Sequence, residues 1–434
     1  MAKSFKVITL GCKVNQYESA YLKEALAGAG CFQAGKGEEG DLVIVNTCIV
    51  TRRAAHQSRQ AIRKAVRENP NGSIAAVGCY AQAFPQEISE IEGVCLIADN
   101  VAKKDLPDLL LQGRGGNKPR LVLSEFESGA PFDFLKISRF PGRTRAYLKI
   151  QDGCQSMCSY CIVPFARGPY RSLSPEKVLG SIEALSGAGV REVVLAGIHL
   201  GKYGIDLKGG IDLAALLEMV GKEDWPVRIR LSSIEPNEID RGMMEMMASE
   251  SWLCRHFHVP LQSGDPRILK RMNRGYTDRE FAGLVETMYT MIPHVAIGVD
   301  VMAGFPGEDS AAHMNSHALI SDLPISYLHV FPFSARPGTA ASTFKGRVDT
   351  EIVKNRAAEL RDLGRRKMRL FYERCLYDEF PVLTEGWNSE EKNVMKGTSD
   401  NYLPVLFPSS NDREGQIVRV RMERVEGDTV VGTL

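Results

Sequence analysis

Residues 153–168 read GCQSMCSYCIVPFARG and place Cys154, Cys158 and Cys161 in a C-x3-C-x2-C pattern. Clustered thiolates suit iron–sulfur clusters or zinc. A structural zinc needs a fourth ligand, and no further Cys or His follows within ninety residues except His199. Three thiolates on a four-iron cluster leave one iron open to chelate a substrate, as the open position does in a catalytic metal site. Zinc stands as the alternative reading of these residues alone.

A second triad is spread along the N-terminal part. Cys12 in ITLGC, Cys48 in IVNTC and Cys79 in AAVGC each stand just past a strand-like run. In an open parallel sheet the C-terminal strand ends share one edge, where ligands bind. Three cysteines in phase with three strands therefore predict a second three-thiolate site. A lone cysteine packs as a small hydrophobe, and that is the reading for Cys31, Cys95, Cys254 and Cys375, which show no such phasing.

The elements that must position these residues alternate from the start. Strand-like runs at 5–10, 41–46, 73–78 and 95–99 are separated by helical patterns at 14–30, 51–69 and 85–92. Strands alternating with helices imply a parallel sheet with crossovers, so residues 1–120 are expected to form an open, Rossmann- or flavodoxin-like α/β domain. The Gly-, Pro- and Arg-rich segment 112–142 marks a boundary. From 145 the alternation resumes through RAYLKI, REVVLAG, VRIRLS, FHVPLQ, VAIGVDVMAGF and SYLHVFPF. About six such units predict a partial or complete βα barrel over 140–370, ending in a long basic helix at 350–374. Four short β segments punctuated by turn residues, FPVLTEG, NYLPVLF, GQIVRVRM and DTVVGTL, predict a small antiparallel barrel over 371–434.

The chain is 25% charged and 44% hydrophobic with a formal net charge of +1, so any nucleic-acid footprint must be local. Helix 51–68 carries Arg59, Arg63 and Arg67 on one face, which is either a phosphate-binding row or a solvated face. The segment from Leu376 onward is acidic, with six Lys/Arg against eleven Asp/Glu. The N-terminus shows no signal-peptide pattern and no stretch has the length of a membrane span. A cytoplasmic protein without membrane contact is expected, with cysteines as thiols or metal ligands.

TLGCKVNQYES, NTCIVT, GCYAQ, GCQSMCSYCIVPFARG, GIHLGKYG, LSSIEP, PLQSGDPRILKRMNRGYT and VDVMAGFPGE, in that order, resemble the radical S-adenosylmethionine (SAM) methylthiotransferases over nearly the whole chain. GQIVRVRMERVEGDTVVGTL resembles a TRAM domain. The resemblance implies two [4Fe-4S] clusters, an auxiliary one on Cys12, Cys48 and Cys79 and a SAM-binding one on Cys154, Cys158 and Cys161. It implies replacement of C–H by C–S–CH3, with SAM as both methyl donor and radical source. It also implies a low-potential electron donor such as flavodoxin or ferredoxin. GIHLGKYG and TCIVT…SRQAIRKAVRENP resemble the group acting on threonylcarbamoyladenosine at position 37 of tRNA, in the anticodon stem-loop. The isopentenyladenosine and ribosomal-protein aspartate groups are the alternatives within the family. A non-catalytic RNA-binding protein stapled by metal is the alternative outside it, and would turn over no SAM. Oligomeric state is not legible.

The same resemblance marks further site candidates, each with a bland alternative. Tyr160 lies near the adenine of SAM or packs in the core. Gly197 and His199 in GIHLGKYG approach SAM or substrate, or His199 is a satisfied loop residue. Glu235 binds ribose hydroxyls or is a surface carboxylate. Gln262 and Asp300 fall near strand ends, as cofactor contacts or structural residues. Arg167 pairs with a carboxylate of SAM or substrate, or makes a structural salt bridge. Arg419, Arg421 and Tyr402 are the candidate RNA contacts of the last domain.

Overall fold

The computed structural model describes residues 2–35, 37–112, 118–127, 129–138, 140 and 144–434. Part of the boundary segment 112–142 therefore lies outside the described residues. Strands β1 (Ser4–Thr9), β2 (Phe32–Gln33), β3 (Leu42–Thr47), β4 (Ser73–Gly78), β5 (Val94–Ala98) and β6 (Arg120–Val122) form one sheet in the order β2-β1-β3-β4-β5-β6, parallel throughout. The central strands read LVIV and IAAV without alternation because both faces are covered. The edge strands β2 and β6, two and three residues long, are too short to show a period in sequence. Helix α1 (Lys13–Gly28) follows β1, and α2 (Arg52–Glu68) follows β3 with Thr51 as its N-cap, accepting from the Ala54 N–H at 3.0 Å. The five-residue helix α3 (Cys79–Ala83) follows β4.

After β7 (Arg145–Lys149) the chain makes a small ribbon from β8 (Gln151–Asp152) and β9 (Arg171–Ser172), with the three-cysteine loop between them. Strands β10 (Glu192–Ala196), β11 (Arg228–Leu231), β12 (His256–Gln262), β13 (Ala296–Ala303) and β14 (Tyr327–Pro332) complete two parallel triplets, β11-β10-β7 and β12-β13-β14. A bridge between Ile229 and Leu253 joins them into a six-stranded arc. Helix α1 packs along β7, and its Tyr17 and Ala20 belong to the core of the arc.

The C-terminal barrel closes in the order β15-β16-β17-β19-β18 from β15 (Glu379–Trp387), β16 (Val394–Ser399), β17 (Pro404–Pro408), β18 (Ile417–Glu426) and β19 (Thr429–Thr433). Four seams are antiparallel and β17–β19 is parallel. β16 was not expected from VMKGTS. Its glycine reads as a turn signal but serves a close strand approach: a Cβ on Gly397 would lie 2.5 Å from the Leu383 carbonyl oxygen.

This barrel docks against the N-terminal ends of β7, β10, β11, β12 and β13, away from the cysteines. Arg228 donates to the Pro381 and Thr398 carbonyls, each at 2.8 Å, and Arg230 to those of Ser399 and Asp400, each at 2.9 Å. Arg145 pairs with Glu385 at 2.9 Å and Arg255 with Asp400 at 2.7 Å. The acidity of the last domain thus answers a basic barrel floor. Tyr402 stacks on His256 with centroids 4.5 Å apart, and Arg419 pairs with Glu379. Of the residues read as RNA contacts, Tyr402 is thus engaged within the protein, while Arg419 stays exposed with its surface partner.

Beneath the floor, fully buried Glu192 receives Arg228 Nε at 2.7 Å and Arg230 Nε at 2.8 Å. Burial works to raise its carboxyl, but Arg230 and Arg228 prevail and hold it at about 2. Its contribution is therefore full above the unfolded value of about 4.3 and is lost as pH falls toward about 2. Glu192→Gln leaves two buried guanidiniums uncompensated, and a loss of about 3–5 kcal/mol is expected. Thermal melts at neutral pH and proteolysis at the Cys375–Glu379 connection check it. An unchanged Tm would contradict this account of the docking.

Candidate active site

Both triads gather at C-terminal strand ends. Cys12 is the N-cap of α1, Cys48 follows β3 and Cys79 opens α3. Their close approach needs glycine: Gly11 has φ +95°, and a Cβ there would lie 2.8 Å from the Cys48 sulfur. Ser58 fixes the Cys48 turn, accepting its N–H at 3.1 Å and donating to its carbonyl at 2.9 Å. Cys12 is exposed at its surface, yet the protein packed around it pushes its thiol up despite the Arg167 charge. Burial likewise raises Cys48 to about 12, with Cys79 and Cys12 adding to it.

Gly153 turns β8 into the other triad with φ +79°, and a Cβ there would lie 1.8 Å from the Pro169 carbonyl oxygen. The Cys154 N–H donates to Gly168 O at 3.0 Å, closing the loop on itself. Burial raises Cys161 to about 12. Burial also opposes the Cys154 thiolate, but hydrogen bonds from His199 and Ser156 outweigh it and bring the thiol below its usual value. Each triad gathers three thiols at one strand edge or in one loop, a donor set that suits a metal centre.

The donor spacing separates the two metal chemistries. Among the described residues, only His258, Asp300 and His329 bring three ligand atoms within 4.8 Å of one another. Neither cysteine triad is that tight. A single tetrahedral zinc with Zn–S of about 2.3 Å would draw its thiolates to roughly 3.8 Å. A multi-iron cluster seats each thiolate on its own iron and keeps them further apart.

One side chain joins the two triads. Arg167 ends the single-turn helix Val163–Arg167 behind Cys161 and is fully buried. Its Nε donates to the Cys79 sulfur at 3.1 Å, Nη1 to Glu18 at 2.6 Å and Asp152 at 3.3 Å, and Nη2 to Asn15 at 2.6 Å and Glu18 at 3.2 Å. All five N–H donors are taken. In this arrangement Arg167 makes structural ion pairs within the protein. Lys103 and Lys149 also pair with buried Glu18. Ile162 and Ala166 pack with Cys79 and Tyr80 in the core of the N-terminal domain.

His199 is also a satisfied residue. Its Nε2 meets Glu238 at 2.7 Å, while Nδ1 meets Ser156 at 3.1 Å and the Cys154 sulfur at 3.4 Å. Both ring nitrogens are occupied within the protein, and the ring also lines the cavity beside Cys158. Gln151, not anticipated, accepts the His199 N–H at 2.7 Å and donates to the Asp152 and Gly153 carbonyls, tying the GIHLG turn to the cysteine loop. Gly197 is tightly packed there, since a Cβ would stand 3.0 Å from Gln151 Oε1 and from the Leu200 Cα. Arg274, in RMNRGYT, was also missed: it donates to the Cys158 sulfur at 3.1 Å, to the Tyr160 hydroxyl at 3.4 Å, and to Glu235. Glu235 lines a cavity of about 300 Å3 with Cys158, His199 and Glu238. Tyr160 stands edge-on to Phe305, centroids 6.4 Å apart. Gln262 sits at a β-bulge with φ +63°, a conformation that non-glycine residues adopt mainly at strained sites. Asp300 lies inside the barrel between His258 at 2.8 Å and His329 at 3.3 Å.

A cavity of about 890 Å3 opens between the N-terminal domain and the ends of β13 and β14. Gly11 and Cys48 form one wall, Phe331 and Phe333 another, and Arg52, Arg53, Arg347 and Arg361 the rim. The predicted row Arg59, Arg63, Arg67 is not on this rim. A crossover helix starts at the ligand edge and runs away from it, so Arg63 and Arg67 stand roughly 17 and 22 Å beyond Arg52 along α2. Arg59 is spent on the Tyr80 hydroxyl at 2.7 Å and Glu87 at 3.2 Å.

The comparisons agree with this site. Residues 4–98 match the family described as "Uncharacterized protein family UPF0004", and residues 148–316 match the radical SAM superfamily. The radical SAM methyltransferase TsrM from Kitasatospora setae shares the fold, with a TM-score of 0.55 over 79% of this chain and 77% of that one, at 17% identity. The fold and the open three-cysteine loop are those of a radical SAM enzyme, a class that uses SAM and a [4Fe-4S] cluster. Within that class the relatives are more specific. The threonylcarbamoyladenosine tRNA methylthiotransferase MtaB of Bacillus subtilis is 36% identical over 95% of this chain and 92% of its own length. The tRNA-2-methylthio-N(6)-dimethylallyladenosine synthase of Moorella thermoacetica is 32% identical over 98% and 96%. This chain belongs to the methylthiotransferase family.

Arg167→Met removes the cation that Glu18, Asp152 and Cys79 share. A loss of about 3–5 kcal/mol is expected, together with a lower iron content at the N-terminal triad and a smaller loss at the other. Iron per chain in the variant and in each triple-cysteine background measures it. Wild-type stability and iron in Arg167→Met would show that the junction does not depend on this residue.

Proposed function

We propose that this enzyme installs a methylthio group at C2 of N6-threonylcarbamoyladenosine at position 37 of tRNA, using two [4Fe-4S] clusters. One observation carries the reading: there are two incomplete thiol triads, and the turn of helix behind one of them supplies the buried Arg167 that contacts a sulfur of the other. Cys154, Cys158 and Cys161 would hold the cluster that binds SAM, with His199 and Arg274 fixing their sulfurs. Cys12, Cys48 and Cys79 would hold the second cluster, with Arg167 fixing Cys79. When bound, these groups supply the radical chemistry that an aromatic C–H bond demands, since acid–base catalysis cannot break it. The protein's own residues orient the base, exclude water and place the sulfur beside the carbon.

The relatives at 36%, 35% and 34% identity are named for threonylcarbamoyladenosine, while those named for dimethylallyladenosine reach 32%, which supports the substrate choice. The rim of arginines around the 890 Å3 cavity supports an RNA ligand, because phosphate contacts position a stem-loop while the pocket selects the base. A low-potential donor such as flavodoxin or ferredoxin would deliver the electron. Among the described residues no helix is long and apolar enough to cross a membrane, and a cytoplasmic setting with its tRNA fits that.

About eight irons per chain are expected after anaerobic reconstitution, four for each cluster. Replacing Cys154, Cys158 and Cys161 by Ala should halve the iron and abolish 5′-deoxyadenosine formation. Replacing Cys12, Cys48 and Cys79 should preserve reductive SAM cleavage and eliminate the methylthio product. Nucleoside mass spectrometry on tRNA bearing either modified adenosine decides the substrate; methylthiolation of isopentenyladenosine alone would reassign it.

The arginines give a separate test. Arg52→Ala combined with Arg361→Ala should weaken binding of modified and unmodified tRNA alike and flatten its salt dependence. Arg63→Ala with Arg67→Ala should have the smaller effect. The reverse order would place the RNA on the outer face of α2.

A further inference from the structure

Among the described residues, the ammonium of Lys13 in the interior of the large barrel makes no salt bridge, although Asp300 and Cys12 lie near enough to attract it. Lys13 opens α1, which covers the flank of the arc, and its side chain reaches inward to line a cavity of about 50 Å3. Among the described residues Lys13 has no hydrogen bond and no ion pair. The neighbouring cations are already spent: Arg230 on Glu192 and the Ser399 and Asp400 carbonyls, Arg145 on Glu385. Asp300, the carboxylate in this interior, is held between His258 and His329.

A second donor lines the same cavity without a partner. His256 is buried, its Nε2 lies 2.8 Å from the Tyr327 hydroxyl, and its Nδ1 is unsatisfied. With the tyrosine donating to Nε2, the proton of a neutral imidazole sits on Nδ1. Unpaired polar groups inside a protein are costly, and here an ammonium and an unpartnered imidazole nitrogen border one space. That space exceeds the roughly 30 Å3 share of one water, so it admits a carboxylate group. A carboxylate accepts two or more hydrogen bonds and carries the charge that Lys13 lacks.

We infer that Lys13, seconded by His256, binds the carboxylate of the threonylcarbamoyl group and so selects the substrate. The inference rests on the proposed threonylcarbamoyladenosine activity. Adenine carries C2 and N6 on the same Watson–Crick edge. A base that presents C2 to the Cys12 side of the junction carries its N6 substituent on the same edge, and Lys13, the next residue, reaches from that side into the barrel interior. An uncharged prenyl group entering there would bury the ammonium unpaired, so the site penalises the wrong substrate as well as favouring the right one. The methionyl carboxylate of SAM has the same chemistry, and the assay separates the two.

The test uses reconstituted holoenzyme and two anticodon stem-loop RNAs, one with threonylcarbamoyladenosine and one with its methyl ester, identical except for the charge. Lys13→Met should lower kcat/KM and binding for the acid by roughly 30-fold or more, with the ester processed as by the wild type. Lys13→Arg should retain most of the preference for the acid, and the KM for SAM and the iron per chain should not move in either variant. Equal losses on acid and ester, a raised KM for SAM, or no loss at all would each overturn the assignment. If the unsubstituted enzyme ignored threonylcarbamoyladenosine and modified isopentenyladenosine, the substrate proposal itself would fall.

Discussion

A single guanidinium sets the geometry of this molecule. Arg167 spends all five donors on Cys79, Glu18, Asp152 and Asn15, and in doing so fastens the three-cysteine loop of one domain to the strand-end cysteine of another. The surrounding charges do not balance. Among the described residues, Lys103, Lys149, Arg167 and Arg171 are buried with Glu18 and Asp152 as the carboxylates they pair with. Burying surplus charge costs several kcal/mol per ion unless an opposite charge stands near. Thiolates of a cluster on the proposed ligands would be that opposite charge, so the residues that close the domain junction would also suit it to an anionic centre.

The opposite end of the barrel is built on the same logic with the signs exchanged. Glu192 gathers Arg228 and Arg230, and these arginines then take backbone carbonyls from the acidic C-terminal barrel. The partial barrel is thus completed by two neighbours, α1 along its flank and the small barrel beneath its floor. The catalytic end is left facing the N-terminal domain and the wide cavity between them. Polar side chains lining the interior, from His256 to Asp300, stand between these ends.

Much of this was legible in the sequence, for reasons of period. Cysteines at ITLGC, NTC and AVGC mark strand ends, and a parallel sheet brings strand ends together whatever the distance in sequence. The six-strand rhythm and the long last helix were equally visible. What failed to show were features set by contacts between domains. The spacing of Arg59, Arg63 and Arg67 gives a face of a helix but not which end lies near the site, and the crossover puts Arg52 and Arg53 there instead. Arg167 and His199 carry no local sign of whether their partners are a ligand or the protein. Tyr402 reads as an RNA-stacking aromatic until the floor of the barrel is seen. Gly397 concealed a strand, since the close approach it permits belongs to a neighbouring strand that local pattern does not identify.

The floor also gives the chain an order of assembly. Arg228 and Arg230 leave the ribosome well before the carbonyls at Pro381, Thr398, Ser399 and Asp400 that they need. Until that last segment emerges, the barrel is a vessel without a base, its arginines wet and its interior open from below. A nonsense codon near residue 375 would therefore remove no dispensable appendage. It would release a polypeptide that has every cysteine of both triads and still lacks the part that seals the chamber between them and water.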